Sequence, residues 1–218
     1  MPETLSSEEY DIILDALDNQ DTNTILKYFQ KFELEPTTEL LDAPRYGDNN
    51  DIDINTYIDY ILSYNLTDVI DIFIDELNLE ITDEILVHTL ELQNMDTYNY
   101  LCELGYVPQE KTLKYAVQMC SSSIIDKILE NDKELVEYIE EDNIEYLYDN
   151  YEEIDENTVE TVRVLLNYDI NISLFRNMLS TLKENIKDSY NDSYNDENLN
   201  NDIVNEIIDL LESYGLKV

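Results

Sequence analysis

Positive charge is what this sequence has least of. Twelve Lys and Arg stand against 51 Asp and Glu, giving a formal net charge of −39. From Tyr46 to Glu110, 65 residues pass without a Lys or Arg, while 15 Asp and Glu fall in the same window. Such a surface repels nucleic-acid phosphates and anionic lipid headgroups, which argues against direct nucleic-acid or membrane binding. Gly is scarcer still, with 3 residues, so no Gly-rich loop can bring backbone N–H groups against a nucleotide phosphate. The single histidine, His88, lies on the inner face of a predicted helix and has no second His or paired Cys with which to build a zinc site. Two cysteines, Cys102 and Cys120, are too few for a disulfide framework and form no CxxC pair; both sit among apolar residues at helical spacing and read as small buried thiols. No apolar run approaches membrane-spanning length, and Met1-Pro2-Glu3-Thr4 opens no basic leader, so the expectation is an intracellular, cytoplasmic protein.

Catalytic patterns are missing too. There is no G-x-S-x-G elbow and no Cys–His pairing with an orienting group. Carboxylate pairs are so numerous that none can be singled out as an acid–base couple. The expectation is therefore a non-enzyme with no cofactor and no catalytic or metal-binding residue. Asp51-x-Asp53-x-Asn55 has the opening spacing of a calcium loop, but Thr56 stands where the loop requires Gly and Leu62 where it requires Glu.

What is present is helix. Ile, Asn, Tyr and Asp are abundant and Gly, Pro, Trp and Arg are rare, as AT-rich coding would give. AT-rich codons also favour Lys, so the shortage of Lys reads as selected. A hydrophobic content of 43% is enough to fold the chain despite its charge. Apolar residues recur at i, i+3 and i+4 nearly throughout, and period-2 alternation never lasts. Ser6 or Ser7 caps a first helix, Glu9 completes a capping box after Ser6, and Tyr10, Ile13, Leu14 and Leu17 form its apolar face. Asp21 or Thr22 caps a second helix, closing an αα-hairpin. Residues 33–54 form a long connection with a turn of helix at Thr38–Leu41, and residues 188–200, with the duplicated Asp-Ser-Tyr-Asn, form a low-complexity loop.

From Asn55 the helix pairs resume. Asn55 caps Tyr57–Tyr64, Thr67 caps Asp68–Leu77, Thr82 caps Glu84–Leu92, and Asp96–Leu104 stops at Gly105. Gln109–Met119 and Ser122–Glu130 follow, superposing on 84–105 at a constant offset of 27: Leu86 falls on Leu113, Leu90 on Val117, Tyr98 on Ile125 and Leu101 on Ile128. Further helices are expected at Thr161–Tyr168, Ser173–Lys187 and Ile203–Tyr214. The whole reads as one all-α helical-repeat domain over 1–218, an irregular stack of antiparallel helix pairs with about 11–13 helices.

The outer helices carry a unit in which two apolar residues, two others, two apolar residues, two polar ones and a turn residue follow one another. It is clearest at Ile124-Ile125 with Ile128-Leu129 and Asp132, and recurs at Ile25-Leu26, Val69-Ile70, Thr97-Tyr98, Thr161-Val162 and Ile207-Ile208. It resembles the second helix of an ankyrin repeat, and Leu113-Lys114-Tyr115-Ala116-Val117 resembles the family's first helix. The match is densest over 82–170, lacks the opening Thr-Pro, and replaces the regular spacing of the family with 44, 28, 27, 37 and 46. The Ile/Asn/Tyr-rich composition resembles divergent ankyrin-like proteins of giant DNA viruses. The resemblance implies an ankyrin-like α-solenoid, and a host-cytoplasmic location if the source is viral.

Function then rests on charge and shape. Residues 133–160 hold 12 Asp and Glu. If their helix is continuous, Glu137, Glu141, Glu145, Asp149 and Glu153 form one row. The candidate partner-binding surface is Glu137, Tyr138, Glu140, Glu141, Glu145, Tyr148, Asp149, Glu152 and Glu153, with Asp71, Asp75 and Glu76 as a second patch. Tyr138, Tyr146, Tyr148 and Tyr151, interleaved with the carboxylates, face either a partner or the core. Such rows can imitate phosphate charge and occupy the cleft of a basic, nucleic-acid-binding protein. The alternatives are an ankyrin-type scaffold that binds through its concave face, with charge serving only solubility, and a self-assembling particle component.

Overall fold

The computed structural model describes residues 5–38, 56–149, 153–191 and 199–217. Among these there is no strand. The helices are α1 (Ser7–Asp18), α2 (Thr22–Phe32), α3 (Tyr57–Ser63), α4 (Thr67–Asp75), α5 (Asp83–Glu91), α6 (Met95–Glu103), α7 (Glu110–Gln118), α8 (Ser122–Asn131), α9 (Glu141–Glu145), α10 (Glu156–Asn167), α11 (Arg176–Asn191) and α12 (Leu199–Ser213), with 3-10 turns at Lys133–Tyr138 and Ile172–Phe175. The chain divides into two compact units, Met1–Val107 and Pro108–Val218.

One backbone device builds four hairpins. Between α1 and α2, α3 and α4, α5 and α6, and α7 and α8, a residue with φ near +50° to +55° (Gln20, Asn65, Gln93, Cys120) turns the chain. At each junction the next residue's N–H returns to a carbonyl five residues back: Asp21 to Ala16 (2.8 Å), Leu66 to Ile61 (3.1 Å), Asn94 to Thr89 (3.0 Å) and Ser121 to Ala116 (2.9 Å). That residue is also the N-cap of the second helix, so one tight turn ends one helix and starts the next. Helices α5 and α7 start and stop at the offset of 27 read from the sequence. Gly105, at φ +100°, closes α6 as the C′ residue.

The turn residue also reaches forward to the second helix of the following pair. Gln20 Oε1 accepts from the Asp68 N–H at the start of α4 (3.3 Å), and Asn65 Oδ1 accepts from the Thr97 hydroxyl in α6 (3.2 Å). In the second unit Cys120 Sγ lies 3.8 Å from Thr158 Oγ1 in α10. Thr97 and Thr158 both stand three residues after their N-caps, Asn94 and Asp155. Thr158, and not Thr161, is therefore the equivalent of Thr97. Helix α10 begins five residues earlier than expected because Asp155 caps it, its carboxylate accepting from the Thr158 N–H (3.0 Å).

Other expectations need similar adjustment. Asn55 lies outside the described residues, and the capping box of α3 is made by Thr56 with Asp59. Thr67 is the first helical residue of α4 and not its cap, while Thr82 occupies the N-cap of α5 without a side-chain bond. The capping boxes of Ser6–Glu9 and the cap at Asp21 form as read. Of the 33–54 connection, Pro36 and Thr38 carbonyls accept from the Ile58 N–H (2.8 Å) and Tyr57 N–H (3.3 Å), satisfying two donors at the start of α3. The rest of that connection, including Asp51 and Asp53 and the turn expected at Thr38–Leu41 beyond residue 38, lies outside the described residues. So do 192–198, but α11 runs to Asn191 and α12 starts at Leu199, so the loop expected over 188–200 is helical at both ends.

Each unit has an apolar interior. In the first, Phe29 meets Tyr57 edge-on at 5.0 Å between ring centroids and Phe73 at 5.1 Å, joining α2, α3 and α4 around Leu17, Ile61 and Ile70. In the second, Ile125, Val162, Leu165, Phe175, Leu179, Ile207 and Leu211 are fully enclosed. Each such side chain contributes roughly 1.5–3 kcal/mol of burial.

Candidate partner-binding surface

Acidic residues in this protein fall into two groups according to whether a neighbour donates to them. The first group is drawn into the frame by tyrosine. Tyr60 donates to Asp18, Tyr100 to Asp71, and Tyr168 to Asp126 (2.9 Å), each phenol bridging two helices. Burial, with the carboxylate bond second, pushes the phenols of Tyr100 and Tyr168 up to about 12. With so few Lys and Arg, the phenol shares this bridging role with a few cations that also join helices, Lys31 to Glu9, Arg163 to Glu206 and Lys183 to Glu212. Asp71 is thus half-buried and bonded, whereas Asp75 and Glu76, the last residue and C-cap of α4, are exposed. Acids at a helix C-terminus oppose the macrodipole, typically by 0.3–1 kcal/mol.

The second group lies on the segment from Lys133 to Asp149, which is not one helix. A 3-10 turn ends at Tyr138, Ile139 and Glu140 are extended (ψ 125° and 171°), and α9 starts afresh at Glu141. The expected single row of Glu137, Glu141, Glu145, Asp149 and Glu153 is broken. Two causes act together. Like charges four apart disfavour the helix, and side chains offer the backbone other partners. Asp132 accepts from the Glu134 N–H (3.0 Å), and Asn143 Oδ1 from the Glu140 N–H (2.9 Å).

The broken segment still has two sides. Val136, Ile139, Asn143, Ile144 and Leu147 are buried, while Glu137, Tyr138, Glu140, Glu141, Asp142, Glu145, Tyr146 and Asp149 are exposed. Tyr138 is 50% and Tyr146 61% exposed, so these rings face outward. Tyr148 is half-buried, and burial first, then Glu145, Glu141 and Asp149, push its phenol up. Tyr151 and Glu152 lie outside the described residues, and Glu153 is exposed. Two candidates are tied to neighbours: Glu140 lies 3.6 Å from the Lys114 ammonium, which sits closer to Glu110 (2.8 Å), and Glu141 accepts from the Asn177 amide of α11. The bond to Glu110 raises the Lys114 pKa.

Asp142, Glu145, Tyr146 and Asp149 line a shallow groove of about 300 Å³. The sequence reading missed Asp142 and left Tyr146 undecided. Asp142 precedes Glu145 by three residues on a helix, and that spacing was the available signal.

Among the described residues no three His, Cys, Asp or Glu side chains are grouped to hold a metal ion, and no helix is long and apolar enough to cross a membrane. Cys102 and Cys120 are half-buried and form no disulfide, and burial raises the pKa of Cys120. His88 is half-buried between Asp59 and Glu91. No protein-family model, curated protein or solved structure matches the chain.

Proposed function

We propose that the protein is a non-enzymatic interaction module that presents its carboxylates to a basic partner and acts as a nucleic-acid mimic against a DNA- or RNA-binding protein. The observation that carries this reading is the outward side of residues 137–149. There, exposed carboxylates and Tyr146 line a groove, and Tyr138 is exposed on the same segment, whose apolar side is buried. Fixed carboxylates attract a cationic surface over a Debye length, about 8 Å at physiological salt. Tyrosine adds contact area at low entropy cost, as it does at interfaces generally.

An arginine-rich peptide, followed by fluorescence anisotropy, tests the reading. Affinity should fall steeply as salt rises, and the triple variant Asp142→Asn, Glu145→Gln, Asp149→Asn should lose about tenfold or more, while Asp75→Asn with Glu76→Gln loses less. A double-stranded oligonucleotide should not bind, yet the protein should displace it from a basic DNA-binding protein. Equal losses in both variants would reduce the groove to a share of bulk charge.

The repeated hairpin junction supports a second reading. Like hairpins whose turn residues Gln20, Asn65 and Cys120 each meet the following pair are an arrangement expected of a degenerate ankyrin-like solenoid of the giant-DNA-virus type. In that case the protein is a scaffold bound through a concave helical face, and partner affinity would be nearly independent of salt.

A further inference from the structure

We propose that His88 is a proton-operated latch between the α5–α6 hairpin and the start of α3, closed while the ring carries both protons and released when it loses one. Nε2 of the ring lies 2.8 Å from Asp59 Oδ1, and Nδ1 lies 2.9 Å from Glu91 Oε2. A neutral imidazole has one N–H and one lone pair, so it can satisfy only one of two carboxylates. The other nitrogen would then point a lone pair at an anion. Only the imidazolium satisfies both.

The two acceptors belong to different elements. Glu91 is the last residue of α5, one turn after His88 on the same helix. Asp59 is on α3, is 9% exposed, and already accepts from the Thr56 N–H (2.8 Å) as part of that helix's capping box. His88 therefore couples the end of one helix to the cap of another. Helix α6, on which α5 packs, carries Asp96 and Glu103, and neither bonds the ring. The stretch 46–110 contains no Lys or Arg. The one basic side chain of that stretch is thus one that changes charge near neutral pH.

The Asp59 bond is the leading cause that raises the ring's pKa above 6.5, against a smaller opposing effect of burial. A group raised on folding stabilises fully below its unfolded value and loses that contribution as pH rises through its folded value. Release therefore occurs on the alkaline side of 6.5.

The test is NMR of the full chain from pH 6 to 9. The His88 ring resonance should titrate above 6.5. Amide protection in α3 and α5, corrected for intrinsic exchange, should fall about tenfold for each unit by which the folded value exceeds 6.5. His88→Gln should show low protection with no such pH dependence, and Glu91→Gln should bring the ring's titration down. His88→Arg, which keeps a cation at every pH, should hold protection constant over the same range. A ring that titrates at or below 6.5, or wild-type and His88→Gln chains with the same pH dependence, overturns the latch.

Discussion

Residues 56–105 and residues 133–149 are both acidic, yet they use their carboxylates in opposite ways. In the first stretch Asp59 and Asp71 are taken into the frame by His88 and Tyr100. In the second, Glu137, Asp142, Glu145 and Asp149 stay at the surface, and the helix that would have aligned them is broken at Ile139–Glu140. The difference is a matter of donors. Where a phenol or imidazole sits on the adjacent helix, an acid stabilises packing. Where none does, the acid faces water, apart from Glu140 beside Lys114 and Glu141 bonded by Asn177.

The largest expected effect removes the frame of the first stretch. Phe73 is fully enclosed and touches the Phe29 ring, so Phe73→Ala should cost about 3–5 kcal/mol in urea denaturation. A cost below ~1.5 kcal/mol would mean that the hairpins of that unit are not closely packed and that the contrast with 133–149 is false.

A sharper comparison sets two enclosed threonines against each other. The Thr97 hydroxyl shares its one proton between the Leu62 carbonyl (2.9 Å) and Asn65 Oδ1 (3.2 Å), while Thr161 Oγ1 is buried without a hydrogen-bond partner. Thr97→Val should cost about 1–3 kcal/mol, and Thr161→Val should be neutral or stabilising by up to ~1 kcal/mol. Equal destabilisation would remove Thr97 as a link between hairpins.

The smallest effect is seen at high pH. Tyr100 and Tyr168 have folded values raised to about 12 from 10. Their contribution is whole below 10 and lost as pH rises through about 12. Tyr100→Phe should cost about 1 kcal/mol at neutral pH and flatten part of the alkaline stability loss. An unchanged stability profile between wild type and Tyr100→Phe would show that the phenol does not hold Asp71.

The all-helical fold was legible because apolar spacing is set by burial of one face, which neighbours along the chain report directly. The 27-residue offset, the caps at Ser6 and Asp21, and the stop at Gly105 are all local signals of that kind. Failures came where a polar side chain competes for the backbone, or where the partner is distant in sequence. Nothing near Thr161 shows that Asp155 starts α10 a turn and a half earlier, since the competing apolar pair Thr161-Val162 has the same spacing. Continuity through Ile139–Glu140 was unreadable for the same reason: Asp132 and Asn143 bond the backbone, and short polar side chains have that option almost anywhere. The pairing of Asp59 with His88 spans 29 residues and follows from hairpin packing, which periodicity does not describe. At the surface, the acids named from sequence are mostly exposed, but which of them share a groove depended on where the helix breaks.

The turns hold one further lesson. Gln20, Asn65 and Cys120 occupy a left-handed backbone conformation that costs a residue bearing a Cβ roughly 1–2 kcal/mol. Glycine would relax it, but glycine has nothing with which to reach the next helix. The three side chains differ in length and in what they meet: a backbone N–H for Gln20, a hydroxyl for Asn65 and a hydroxyl for the Cys120 thiol. Each turn is thus fitted to one successor. At these three corners the neighbour is written into the turn, and exchanging the hairpins would keep their helices while misaddressing the three joints.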